Sequence, residues 1–259
     1  MFHQIEITTK CNFRCFYCAG RSMPQQHMSD EVMRDIQERL TPGKHVVSLQ
    51  GEGEPTLHPR FWEWAECLIS KGYVPYTITN GSRINAENAD KYLPTLGVSL
   101  DTVDMAEATR IGRLKLDTVL DNLDRLLDRM GKERLIIHTV DYGQPMEALK
   151  LYLRARGLFR HVVQPLQSKT DYAAHYPVHV ISSNHKQHRA YGVCRYLKKS
   201  PMRYFDIAGV ELPCCFIKDT REYPGRDVLC RQMETGEIPK VCEGCREIPD
   251  GPTYRVQFA

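Results

Sequence analysis

Three cysteines constrain this chain more than any other feature of it. Cys11, Cys15 and Cys18 fall in the run Thr9-Lys10-Cys11-Asn12-Phe13-Arg14-Cys15-Phe16-Tyr17-Cys18, with spacing C-x3-C-x2-C. Three thiolates on one short loop can hold three irons of a [4Fe–4S] cube and leave the fourth iron open to another ligand, and an open metal position is where chemistry takes place. Two plainer readings compete. A zinc site would pair C-x2-C with a second such pair. Disulfides suit a secreted chain, and Met1-Phe2-His3 does not open a signal-peptide pattern.

Composition excludes several classes. The chain has 259 residues, 42% of them hydrophobic, enough for one sizeable domain and a small appendage. No apolar run approaches the roughly 20 residues of a membrane span, so no membrane partner is expected. A net charge of +3, from 35 basic and 32 acidic residues, is too mild to point to nucleic acid. Ten cysteines without a signal peptide fit a reducing, cytoplasmic setting and metal ligation better than disulfides.

Short apolar runs alternate with helical patterns. Strands are predicted at 3–7, 46–49, 75–79, 97–100, 135–140 and 161–165, and helices at 30–40, 60–71, 86–92, 116–130 and 145–156. The helix at 116–130 is the clearest, because Val119, Leu120, Leu123, Leu126 and Leu127 recur on one face. Repeated β-then-α units imply an α/β fold with a parallel sheet and helices outside it. Right-handed crossovers would curl it into a partial (β/α)6 TIM-type barrel, with functional loops at the C-terminal strand ends. The cysteine run follows the first strand, at such an end. The alternation fades near residue 170. The expected division is therefore a barrel over 1–170 and a small cysteine-rich unit over 171–259.

With aromatic Tyr17 directly before Cys18, the run resembles the signature of the radical S-adenosylmethionine (SAM) superfamily. The resemblance covers residues 1 to about 165 and implies a six-unit partial barrel. It further implies a [4Fe–4S] cluster whose free iron chelates SAM. One electron then cleaves SAM to methionine and a 5′-deoxyadenosyl radical, which abstracts a substrate hydrogen. An electron donor such as flavodoxin or ferredoxin would be the partner.

Further motifs fall at the later strand ends. Gln50-Gly51-Glu52-Gly53-Glu54-Pro55 is by itself an ordinary glycine-rich turn. In this position it resembles the family's glycine-glycine-glutamate motif, which holds the SAM amino group, although Glu52 stands where a second adjacent glycine often sits. Gly53 and Glu54 carry the likeness best, then Gly51. Thr79-Asn80-Gly81 reads as a turn, and in related enzymes this strand end lies near SAM. Ser99, and one of Arg110 and Arg113, match positions the family uses for the ribose and the methionine carboxylate; either arginine can instead be a solvated helix charge. Tyr17 is expected near the adenine.

The C-terminal part adds Cys194, then Gly209-Val210-Glu211-Leu212-Pro213-Cys214, then Cys242-Glu243-Gly244-Cys245. This order resembles the twitch domain, the shortened SPASM domain, which implies an auxiliary [4Fe–4S] cluster held by Cys194, Cys214, Cys242 and Cys245. Cys215 competes with Cys214, and a zinc knuckle from the same four residues is the structural alternative. The histidines at 161, 175, 179, 185 and 188 are scattered, and His185 and His188 read as solvated loop residues in preference to metal ligands.

The expected function is radical SAM chemistry in which the auxiliary cluster accepts an electron, with dehydrogenation of a small biosynthetic intermediate as the simplest use. Modification of a ribosomal peptide is the alternative. The first strand starts near residue 3, leaving no room before it for a peptide-recognition domain. A non-catalytic zinc or iron–sulfur module is the alternative from another class. Asp141, Tyr142, Gln164, Gln167 and Lys169 are placed as substrate contacts by the strand reading; no general base is identifiable.

Overall fold

The structure is a computed structural model that describes residues 2–174, 176–177, 189–199 and 201–249. His175, His179, His185 and His188 lie outside the described residues. Strand β1 spans Phe2–Ile5, β2 Val46–Leu49, β3 Val74–Tyr76, β4 Ile78–Thr79, β5 Leu96–Ser99, β6 Leu135–Asp141, β7 His161–Pro165, β8 Met202–Phe205 and β9 Glu211–Leu212. Helices are α1 Asp30–Arg39, α2 Phe61–Ser70, α3 Ala86–Tyr92, α4 Met105–Ile111, α5 Leu116–Met130, α6 Glu147–Ala155, α7 Thr170–Ala173, α8 Arg195–Lys199 and α9 Arg226–Glu234.

One sheet runs β3-β2-β1-β8-β9 and the other β4-β5-β6-β7, parallel throughout except where β9 meets β8. Thr77 joins them, since its hydroxyl donates to the Leu49 carbonyl at 2.7 Å and its own carbonyl accepts from the Gly97 amide at 2.9 Å. The run predicted as one strand at 75–79 is therefore two, bent at the residue where the chain passes between sheets.

Alternation along the strands sorts the two faces. Ile5, Ile7, Val47 and Leu49 pack against Met33 and Ile36 of α1 and Phe61, Trp64 and Leu68 of α2. Leu96, Val98, Leu135 and Ile137 pack against α3, α5 and α6 through residues such as Leu93, Leu123, Leu126 and Leu149. Fully burying one such leucine contributes roughly 1.5–3 kcal/mol. The intervening Gln4, Glu6 and Ser48 are buried polar residues on the opposite face.

The chain beyond 170 returns to this framework. Strand β8 pairs in parallel with β1, Phe2 opposite Met202 and Ile5 opposite Phe205. Met202 and Tyr204 of β8 also belong to a separate apolar cluster with Leu197, Leu212, Ile217, Leu229 and Met233. Among the described residues, no helix is long and apolar enough to cross a membrane.

Candidate active site

The cysteine loop follows β1 and is pinned to the end of α4. The Arg14 amide donates to the Gly112 carbonyl at 3.0 Å and the Phe16 amide to the Ile111 carbonyl at 3.1 Å. Gly112 caps α4 at φ +90, and a Cβ there would sit 2.3 Å from the Arg14 carbonyl oxygen. Cys15 is buried, and Cys11 and Cys18 are half-buried. Burial pushes the Cys11 thiol up to about 11 and raises Cys18 as well, the latter reinforced by Glu52. Such thiols stay protonated until a metal centre supplies positive charge.

The turn after β2 wraps this loop. A Cβ on Gly53 would lie 2.4 Å from the Thr8 carbonyl oxygen, and one on Gly51 2.3 Å from the Glu6 carboxylate. Both glycines thus allow a close approach, in each case to protein atoms. The buried Glu54 carboxylate accepts from the Thr56 amide at 3.1 Å, the Thr56 and Thr79 hydroxyls at 2.6 Å each, and the Asn80 amide at 2.6 Å. Through these contacts Glu54 fastens the turn to the end of β4. Burial raises its pKa from the usual carboxylate value, against those hydrogen bonds. Asn80 connects this end to the cysteines, its Nδ2 lying 2.9 Å from Asn12 Oδ1 and 3.9 Å from Cys11 Sγ.

At the end of β5, Arg113 donates to the Ser99 carbonyl at 2.6 Å and the Ser99 hydroxyl at 2.5 Å, and to Tyr17 OH at 3.0 Å. It pairs with buried Asp101 at 2.8 Å, and Tyr17 OH donates to the same carboxylate. Ser99, Tyr17 and Arg113 therefore form one group. Arg110 lies outside it, 45% exposed and paired with Glu107 at 2.7 Å. Arg110 stands in the last turn of α4 and is exposed, whereas Arg113 follows the Gly112 cap and is buried. Of the proposed substrate contacts, Tyr142 stacks on Tyr17 with centroids 6.0 Å apart and donates to Glu107 at 2.6 Å. Gln167 and Lys169 are buried, whereas Asp141 and Gln164 are exposed.

The C-terminal cysteines gather in the second cluster. Cys194, Cys214, Cys242 and Cys245 are all buried there, and the thiols of Cys242 and Cys245 each feel both Cys194 and Cys214. Burial raises Cys214, Cys242 and Cys245, Cys245 to about 12. Cys215 packs against the edge of the same cluster, where Lys218 and Glu52 also act on it, and burial raises its thiol to about 12. The Cys242–Cys245 turn docks on the segment after β7. Ser168 Oγ donates to the Gly244 carbonyl at 2.8 Å and the Thr170 amide to the Glu243 carbonyl at 3.2 Å. Gly244, at φ +71, would place a Cβ 2.8 Å from the Ser168 carbonyl oxygen.

The sequence profile of the radical SAM superfamily matches residues 5–155, the span from β1 to the end of α6. The chain belongs to the radical SAM superfamily. This superfamily uses a [4Fe–4S] cluster together with SAM. Over 113 residues the chain is 30% identical to an S-adenosylmethionine-dependent nucleotide dehydratase from a Thermoplasmatales archaeon, covering 42% of this chain and 41% of that protein. Over 106 residues it is 33% identical to a tungsten-containing aldehyde ferredoxin oxidoreductase cofactor-modifying protein from Pyrococcus furiosus, covering 37% and 28%. The chain thus spans less than half the length of these relatives. Among solved structures, Streptococcus suis SuiB bound to S-adenosylmethionine superposes with a TM-score of 0.62 at 15% identity, covering 88% of this chain and 65% of that one, a likeness of fold.

The radical SAM cysteines fit such a cluster by donor chemistry: three thiols free of disulfides on one pinned loop beside a polar strand end. Among the described residues no three His, Cys, Asp or Glu side chains converge on a single-ion position; a cube takes its thiolates on separate corners. Sequence reasoning missed Asp101, Gly112 and Lys218. The Asp104 cap, which accepts from the Glu107 amide at 2.7 Å, signals α4 and hence Gly112. Lys218 has no local signal, because its partner is Glu52.

Proposed function

We propose that this radical SAM chain is an oxidoreductase with two cluster sites on a partial (β/α)6 barrel, extended from about residue 171 by a small cysteine-rich unit. Cys11, Cys15 and Cys18 would hold the SAM-binding cluster. The Gly51–Glu54 turn, Thr79, Asn80, Tyr17 and Ser99 would line the SAM site, with Arg113 positioning Ser99 and Tyr17. Cys194, Cys214, Cys242 and Cys245 would hold an auxiliary [4Fe–4S] cluster. The bound clusters supply reductive SAM cleavage at the first site and an electron acceptor at the second.

The observation that carries this reading is the docking of the second cysteine group on the strand ends, through β8 against β1 and through the 242–245 turn against residues 168–170. A thiol set placed there suits an enzyme whose substrate radical must give up an electron, so dehydrogenation of a small hydroxyl-bearing intermediate is the favoured outcome. The test is iron and acid-labile sulfide per chain after anaerobic reconstitution, with 5′-deoxyadenosine measured after reduction. About eight irons with 5′-deoxyadenosine formation supports two cubes. About four irons plus zinc makes the second site structural, and the oxidation reading fails. Substrate screening then sets small alcohols against precursor peptides.

A further inference from the structure

Glu52 and Lys218 meet from distant parts of the chain. Lys218 Nζ lies 2.5 Å from Glu52 Oε1, with 10% and 14% of the two side chains exposed. Tyr172 OH donates to the same oxygen at 2.7 Å, and Lys218 Nζ also donates to the Cys215 carbonyl at 2.7 Å. The other carboxylate oxygen, Oε2, accepts from Cys18 Sγ at 3.2 Å. Gly20 permits this approach, since a Cβ there would lie 2.9 Å from Glu52 Cβ. Glu6 is the second acid at this place, its Oε1 accepting from the Glu52 amide at 2.7 Å and its carboxylate bonded by Tyr204 of β8.

We propose that Lys218 is a positioning residue for the first cysteine site: from Oε1 it neutralises the Glu52 carboxylate that lies against Cys18, so that a cluster there sits beside a neutral pair. The inference rests on Cys11, Cys15 and Cys18 as the ligands. Glu52 Oε2, 3.2 Å from Cys18 Sγ, places a carboxylate directly beside this site. Lys218 and Tyr172, both on Oε1, are the groups placed to offset its charge. Cluster potential falls as uncompensated negative charge is brought near. Since Lys218 belongs to the segment beyond 170, that segment sets the electrostatics of the SAM motif directly.

The test is an EPR-monitored potentiometric titration of the anaerobically reconstituted full chain, following the signal that changes on adding SAM, with iron counted for every variant. Lys218→Met is expected to shift the midpoint negative, Glu52→Gln to shift it positive, and the double variant to return it close to the starting value. Unchanged midpoints, or single shifts of the same sign, overturn the proposal. If Lys218→Met does not retain the cluster, Glu52→Gln and Lys218→Arg decide: a positive shift in the first and no shift in the second are expected, and any other pattern overturns it. Retention of the SAM-responsive signal in Cys15→Ala would remove the ligand assignment itself, and the proposal with it, a failure distinct from a wrong role for Lys218.

Discussion

The backbone of Gly112 lies against that of Arg14, with the Gly112 carbonyl 3.0 Å from the Arg14 amide and no room between them for a Cβ. The end of α4 therefore serves as the mould for the cysteine loop, and φ +90 at Gly112 is part of that fit. Gly112→Ala combines a strained left-handed conformation with a clash against backbone. It is expected to cost about 1–3 kcal/mol and to lower iron retention at the first site. Denaturant midpoints and iron content of the reconstituted variant check both.

Arg113 joins Tyr17, Ser99 and Asp101 with almost no exposure, so removing its charge leaves Asp101 buried and unpaired. Arg113→Met is expected to destabilise by about 3–5 kcal/mol. Arg113→Lys keeps the charge but not the forked contact with Ser99, and is expected to lose less stability while weakening SAM binding. Urea unfolding and equilibrium SAM binding separate the two effects. Arg110→Met, at an exposed pair, is expected to leave SAM affinity within twofold.

The G-x4-C spacing that ends at Cys214 and not at its neighbour Cys215 gives a paired prediction. Cys214→Ala is expected to remove about one cube's worth of iron, four atoms, whereas Cys215→Ala retains the full count. Equal losses would show that the chain can exchange one thiol for the other. Gly244→Ala, which pushes the 242–245 turn off Ser168, is expected to behave like Cys214→Ala in iron content while sparing SAM cleavage.

Burial holds the imidazoles of His138 and His3 down at about 4, with His161 adding to the effect at His138 and Arg203 and His45 at His3. A histidine kept neutral by the fold contributes its full stability above its unfolded pKa near 6.5 and loses it as pH falls from there toward 4. The loss approaches about 1.4 kcal/mol per pH unit for each group. His138 shares a hydrogen bond with Tyr76 OH at 3.0 Å through Nε2, and its buried Nδ1 has no partner among the described residues. His138→Gln is expected to flatten the fall in urea midpoint between pH 6.5 and 4.5 by one group's share. An identical slope in the variant would show that His138 does not titrate with unfolding.

The strongly periodic elements were legible in the sequence. Helices 86–92 and 116–130 lie where the apolar spacing puts them, and β2 and β7 have the predicted bounds. Helix α4 escaped because only Ala108 and Ile111 of its seven residues are buried, too few to show a period. Strand β8 escaped because Met202–Phe205 acquires its meaning from β1, far earlier in the chain. The site divides in the same way. The cysteines and the glycine turn carry local spacing, whereas Asp101, Arg113 and Lys218 matter through partners that only the fold supplies.

The pairing of β8 with β1 also bears on how the chain reaches its native state. Until Met202–Phe205 has been synthesised, one side of the first strand is a bare edge beside a half-formed cysteine loop, and its backbone groups invite pairing with another molecule. Closing that gap is a contact of very long sequence separation, a slow class of event. A fragment ending near residue 170 would keep the cysteine loop and the glycine turn yet remain prone to association, and chaperone holding or early cofactor insertion would matter most in the interval before β8 arrives.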